Sequence, residues 1–463
     1  MHFTSSTESP CRAPRLRRVT QSLPFALVAL AALGCSDSPS VETDASTLDS
    51  SVMDAAVDGN VADAGTSDAS ETDASETDAN TALPGLVRID DFIYAGAFRI
   101  SSSMFGGSNL NYAVGTLGYN PEAGSLFIAG HAQHTMVAEF AIPDSLGMSD
   151  VVTELPVVAS PLQDFVPVLE AVDNPDGLNR ITGLYWKDGD LLVNANSWYD
   201  APGTAEDTTL VIEGGDLDGT VRGFHQLRGR ARAAGFMSPI PEDWQETLGG
   251  TELAGWASNY SIISRYSVGP TLFAFNAALP EAGGPIDAQI HLDYPFGERA
   301  YLSDNALEYQ CTIDGDVTTC TGEGASDLWN HVSKAMYGFI VPGTRTYAIF
   351  GSNAGARSGL GYKIIQENDN LCGGPCSRDN TDSDNYYWFY DLDEILAAES
   401  PSDPRPYAYG PWEPPFGPRG SHKVIGGSFA ADRGVLYLAL GGAGQVGRYD
   451  RPPLILAFEV PVR

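Results

Sequence analysis

The chain has 463 residues, with 60 acidic against 26 basic side chains and a net charge of −34. That length exceeds one compact core, so part of it must lie outside any single folded body. A surface this acidic repels phosphate backbones and anionic lipid headgroups, which argues against nucleic acid as a partner.

Residues 1–35 open with a basic patch, "RAPRLRR", and continue into the apolar run "SLPFALVALAALG", which ends at Cys35. This is the layout of an export signal, and at about 13 residues the run is shorter than the roughly 20 that a membrane span needs. The cleavage region "AALGC" resembles the lipobox of bacterial lipoproteins. The resemblance implies lipidation of Cys35, a mature N-terminus at that residue and, with Ser36 next, anchoring in the outer membrane. Residues 36–83 repeat Asp-Ala with Ser and Thr and carry nine Asp, three Glu and no Lys or Arg. Such a segment cannot bury enough surface to offset its ordering entropy, so a disordered tether is expected. As a coil it would span roughly 40 Å. With four Arg and one Glu before the tether and twelve acids within it, the remaining residues, 84–463, carry −25.

From Leu83 onward the chain repeats a strand, tight turn, strand unit. The copies are "VGTLGYNPEAGSLFIAGH", "ITGLYWKDGDLLVNANSW", "SIISRYSVGPTLFAFN", "KAMYGFIVPGTRTYAIFGSN" and "VIGGSFAADRGVLYLALGG". Their turns, near Glu122, Gly189, Gly269, Gly343 and Arg433, recur about every 78 residues. A third run often follows: "VAEFAIP", "TTLVIEG", "YYWFYDL" and "LILAFEVP". The expectation is an all-β domain, a β-propeller of five blades, or six or seven if "VVTELPVV" or "IDAQIHLDYP" conceals a further sheet. A β-sandwich is the alternative. "FIYAGAFRI" and "LILAFEVP" should share a sheet and close the ring. Only "EDWQETLGG" and "DLDEILAAES" read as helices. The units "LGYNPEAGSLFIAGH", "SIISRYSVGPTLFAF" and "VPGTRTYAIFGS" resemble a family of uncharacterised exported bacterial propeller-like proteins, which supports the architecture and implies no activity.

Four cysteines fall in the folded part. Cys311 and Cys320 flank a hairpin-like turn and Cys372 and Cys376 bracket "GGP", so two short-range disulfides are expected in an oxidising compartment. A four-cysteine zinc site is the competing reading, weakened by the missing paired CxxC spacing.

In an antiparallel blade the start of the first strand, the end of the second and the start of the third share a face. His131 and His134 therefore fall on the same rim as Asn196, Trp198 and Asn353, and as Arg180, His331, Lys334, His422 and Lys423, which stand just before or at first strands. Together they would form a locally positive cup for a small polar or anionic ligand, such as a carboxylated sugar. His131-x-x-His134 as a metal pair would need two more ligands, so the histidines read better as ligand contacts, and no metal or cofactor is expected. The Asp379, Asp382 and Asp384 loop lacks EF-hand spacing and reads as an acidic loop beside a disulfide. No GxSxG, HExxH or P-loop is present. Carboxylates for a glycosidase have little local signature; Asp173, Asp176, Glu139 and Glu213 are candidates that nothing ranks. Two functions follow from this reading. The first is a monomeric, lipid-anchored surface module that binds a polar ligand, a carbohydrate or a partner protein. The second is a polysaccharide lyase or glycoside hydrolase using His with Arg or Lys at the mouth.

Overall fold

The computed structural model describes residues 85–200, 202–229, 233–257, 267–281, 283–295, 308–314, 317–323 and 328–461, with 308–323 and Tyr362 as backbone only. The expected export signal, Cys35 and the expected tether lie outside the described residues. The rest is a five-bladed β-propeller.

Blade 1 is Leu117–Asn120, Ser125–Ala129, Val137–Ala141 and Gln163–Val166, in that order from the axis outward. Blade 2 is Arg180–Lys187, Asp190–Asn196, Thr209–Ile212 and Val221–Leu227, edged by Gly284–Ile286 running parallel to the last. Blade 3 is Phe236–Pro239, Glu252–Gly255, Leu272–Phe275 and Ala288–Leu292, and blade 4 is Lys334–Ile340, Thr346–Ala354, Ser383–Asp391 and Ala408–Trp412. Blade 5 takes Val424–Ala430, Val435–Leu440 and Leu454–Glu459 from the end of the chain and Ile93–Ile100 from its start. The ring thus closes by antiparallel pairing of "FIYAGAFRI" with "LILAFEV", as the sequence indicates, and "VVTELPVV" supplies only a two-residue strand, Val157–Val158, beside it. No β-sandwich is formed.

Each inner strand packs against the inner strands of the two neighbouring blades. Glycine makes this approach possible. A Cβ on Gly183 would lie 2.1 Å from the carbonyl oxygen of Gly235 in the next blade, and one on Gly426 would lie 2.1 Å from that of Gly115. A side chain at either place would push the blades apart. Between the sheets, aromatic residues fill the volume. Phe339 stacks on Phe429 at 4.5 Å, and Trp329, Trp388, Tyr294 and Tyr347 are fully buried.

The third repeat unit is a correction. "LFAF" (Leu272–Phe275) is the third strand of blade 3, and the inner pair is "FMSP" with "ELAG". The two inner strands are short, and the helix Glu242–Leu248 joins them instead of a tight turn, so the hairpin pattern that marks the other blades is missing here. The helix stops at Gly249, whose left-handed conformation (φ 71°) suits a residue without a Cβ. The second anticipated helix, Leu392–Ala397, starts at Asp391, whose carboxylate accepts from the Asp393 amide. Cys372 and Cys376 are joined as a disulfide. Cys311 and Cys320 face each other across a hairpin register; a bond between their side chains lies outside the described residues.

Candidate functional site

The inner hairpins of blades 2, 4 and 5 share a local irregularity that decides what stands at the channel mouth. Each inner strand carries a one-residue bulge near its start, at Thr182, Met336 and Ile425. Two residues before each bulge stand Arg180, Lys334 and Lys423. The bulge re-aims the strand start in the same way each time, so three cations occupy equivalent places at one end of the channel. Their partners across the hairpin are Asn196, Ser352 and Gly441. In blade 1 the corresponding bridge joins Ala113 to His131.

Lys334 and Lys423 come from neighbouring blades and are half-buried. Burial lowers the Lys334 ammonium below the usual lysine range. Lys423 is pushed down to about 8, first by burial and then by repulsion from Lys334, against which the Asp384 carboxylate pulls the other way. Lys423 Nζ donates to the carbonyl oxygen of Ser421 at 2.5 Å. Among the described residues Lys334 Nζ has no hydrogen-bond or ion-pair partner. Asn385, from the third strand of blade 4, holds the backbone around Lys423. Its Nδ2 donates to the carbonyl of His422 at 2.9 Å and its Oδ1 accepts from the amide of Val424 at 2.8 Å, gripping the backbone on both sides of Lys423.

Other polar groups close around this pair. His422 Nδ1 lies 2.9 Å from the Gly441 carbonyl, and burial, with repulsion from Lys423 and Arg451, lowers its pKa. Asn353 is buried, its Oδ1 accepts from Ser333 Oγ at 2.8 Å, and its Nδ2 has no partner among the described residues. His331 is buried at the start of the same blade. Arg357 binds Asp382 at 2.8 Å and Asp384 at 2.7 Å, while Asp382 also accepts from the amides of Arg357 and Ser358. The Asp379–Asp384 loop is therefore organised by an arginine. No group of three or more His, Cys, Asp or Glu side chains is placed to hold a metal ion among the described residues.

Further around the rim, His131 and His134 stack at 4.4 Å, and His134 Nδ1 lies 2.8 Å from Ser108 Oγ. Burial and the neighbouring His134 lower the His131 pKa. Tyr112 meets His131 edge-on at 6.1 Å, and its amide donates to the Arg451 carbonyl, linking this pair to blade 5. On the other side Arg180 lies over the ring of Trp198 at 4.9 Å and donates to the Ala132 carbonyl. Asn196 is buried, and its Oδ1 has no partner among the described residues. Trp198, Tyr199, Tyr112 and Tyr449 remain exposed.

The histidines thus fall into separate places: His131 with His134 beside Tyr112, His422 against Gly441, and His331 at the start of blade 4. The four glycosidase candidates do not converge. Glu139 is buried within blade 1 under Asn120, Ser125 and Gln163; Glu213 pairs with Arg222; Asp176 caps the amides of Glu206 and Asp207; and Asp173 is exposed. Sequence reasoning missed the clamp Asn385 and the partners Arg357 and Arg451, and read Asp384 only as part of an acidic loop. A compositional signal was nevertheless available. The chain contains only four lysines, at 187, 334, 363 and 423, and uses arginine for its other cations. Two of those four stand at equivalent strand starts in neighbouring blades. No protein-family model and no curated protein matches the chain.

Proposed function

We propose that the protein is an exported lipoprotein, anchored to the outer membrane through Cys35, whose propeller binds an anionic carbohydrate or similar polar ligand at the channel mouth. The observation that carries the binding reading is the equivalent placement of Lys334 and Lys423, two partly desolvated cations on the inner strands of adjacent blades, on the rim that also carries the exposed rings of Trp198, Tyr112 and Tyr449. On a protein so acidic overall, this local cation pair is where an anion gains most, because burial of the ammoniums strengthens attraction that water would otherwise screen. Exposed aromatic faces suit the apolar side of a sugar ring. The acidic tether of residues 36–83 would hold the module clear of the lipid surface.

A glycan array containing neutral, uronic-acid and sulfated sugars tests the ligand class. Retention of acidic sugars, lost on Lys334→Met with Lys423→Met and weakened by Trp198→Ala, is expected; binding of neutral glycans alone would overturn it. Radiolabelled palmitate should label the wild type and not Cys35→Ala. An unlabelled wild type would remove the anchor from the proposal.

A further inference from the structure

Lysine is rare in this chain, and two of its four copies sit at equivalent positions on neighbouring inner strands. The other two are unlike them. Lys187 is paired with Glu252 at 3.0 Å, which helps raise its pKa, and Lys363 is exposed. At the third equivalent position the chain uses arginine, Arg180, which makes a cation–π contact with Trp198. An arginine would bind an anion at positions 334 and 423 as well or better, since its planar fork matches a carboxylate. What lysine offers and arginine does not is a nucleophilic amine. A lysine in a partly desolvated pocket beside a second cation is the arrangement that frees such an amine near neutral pH.

We propose that Lys423 is a condensing amine that captures a carbonyl next to an anionic group, as in a 2-oxo acid or an aldehydic sugar acid, with Lys334 holding the anion. The proposal rests on the anion-binding reading above and adds a covalent step to it. The Lys423 ammonium first releases one proton to solvent, and its nitrogen then adds to the carbonyl carbon to give a carbinolamine. The carbinolamine oxygen leaves as water, having taken up one proton from nitrogen and one from solvent. The net change is an ammonium and a carbonyl going to a protonated imine and one water, with no oxidant or reductant. Asn385 keeps the Lys423 backbone in place, Lys334 supplies the second charge, and Asp384, itself held by Arg357, limits how far the Lys423 ammonium is weakened. His422 and Arg451 complete the charged surroundings. At pH 7 an amine with a pKa of about 8 is roughly 10% unprotonated, some hundreds of times more than an ordinary lysine.

Reductive trapping tests this. The full chain, incubated with glyoxylate and cyanoborohydride at pH 7, should gain one carboxymethyl group, mapped to Lys423 by peptide mass analysis. Labelling at Lys423 should run at least tenfold faster than at Lys363 and rise with pH through about 8. Lys334→Met should slow it at pH 7, because it removes the charge that holds the anion and the lesser of the two causes that lower the Lys423 pKa, burial being the larger. Lys423→Arg keeps the charge but cannot condense, so it should abolish the label while retaining binding of methyl glucuronide, an acid without a free carbonyl. Labelling of Lys363 as fast as Lys423, or a Lys423 rate unchanged in Lys334→Met, would overturn the proposal. If methyl glucuronide binds while Lys423 stays unlabelled, the imine falls and the binding reading stands; if it does not bind the wild type, the binding reading falls with it.

Discussion

Asn385 holds Val424 across a blade boundary: its Oδ1 accepts from the Val424 amide at 2.8 Å while its Nδ2 reaches the carbonyls of His422 and Gly417 at 2.9 and 3.2 Å. One buried amide in blade 4 therefore fixes the entry to the inner strand of blade 5. Replacement by Ala leaves the Val424 amide and two carbonyls without this partner, and a cost of ~2–4 kcal/mol is expected. Asn385→Ala should lower the melting temperature and also loosen the Lys334–Lys423 pair, moving Lys423 back toward the ordinary lysine range. An unchanged Lys423 titration, followed by NMR of its Nζ-bound protons or by labelling rate, would show that the clamp does not set the lysine environment.

Tyr337 ties the same two blades together deeper in the ring. Its hydroxyl accepts from the Phe429 amide at 2.8 Å, and Ser428, beside Phe429, accepts from the Tyr119 amide of blade 1 at 2.9 Å. Three blades are thus linked through consecutive residues of one strand. Tyr337→Phe keeps the ring contacts with Phe236 and Phe339 and removes only the hydroxyl. The orphaned amide should cost ~1–3 kcal/mol, read as a lower chemical-denaturation midpoint with unchanged slope. A changed slope would instead indicate that the blades no longer unfold as one unit.

His225 predicts how the fold responds to acid. The ring is fully buried in the fourth strand of blade 2, neither nitrogen has a hydrogen-bond partner among the described residues, and burial, with Arg222 nearby, holds its pKa below the usual 6.5. A base whose folded pKa is depressed leaves stability intact above 6.5. As pH falls below that value, the unfolded chain takes up a proton that the folded one refuses, and stability declines. The melting temperature should drop between pH 7 and pH 5. His225→Phe gives up no hydrogen bond, so it should melt no lower at pH 7.5 and show a shallower drop at pH 5. Because burial lowers His131, His291 and His422 as well, only the difference between the two slopes belongs to His225.

The blades that were legible in the sequence are those whose inner strands meet through a tight turn. "GYNPEAGSL" and "YWKDGDLL" show alternation, a turn and alternation within about ten residues, and both become inner hairpins. Blade 3 was misread because its inner pair is separated by a helix, and the next clear apolar run, "LFAF", is a third strand. For the rim, strand direction alone placed Arg180, Lys334 and Lys423 at one end. It could not show that one-residue bulges make them equivalent, since a bulge is a register event between two strands and leaves no mark in either one alone. Asn385 was invisible for a related reason. It lies within "SDNYYWFYD", where an amide at a strand start looks like any other polar residue, and its partners are 32 to 39 positions away.

Ring closure sets the last prediction. Ile93–Ile100 pairs with Leu454–Glu459 over six residue pairs; the buried side chains of Phe98 and Ile100 cover apolar surface between blade 5 and blade 1, and Ala97 lies in the apolar cluster that blade 5 shares with blade 4. The segment before it is secured separately: Val87 donates to Thr346 Oγ1 at 3.0 Å and accepts from Tyr407 at 2.7 Å, both in blade 4. A chain starting at residue 102 would lose both attachments. It would present Leu454–Glu459 as an unpaired edge beside exposed apolar surface, which is the arrangement that recruits a strand from another molecule. Sedimentation should show larger species for the shortened chain than for the full chain, and a synthetic peptide of residues 92–101 added during refolding should restore the sedimentation of the full chain. A peptide in which Ala97 is replaced by Pro should not, because the Ala97 amide donates to the Gly147 carbonyl at 2.8 Å on the other flank of the strand, and proline has no such donor. A shortened chain that sediments and melts as the full chain does would mean that the four-bladed remainder and an incomplete fifth blade are stable without closure.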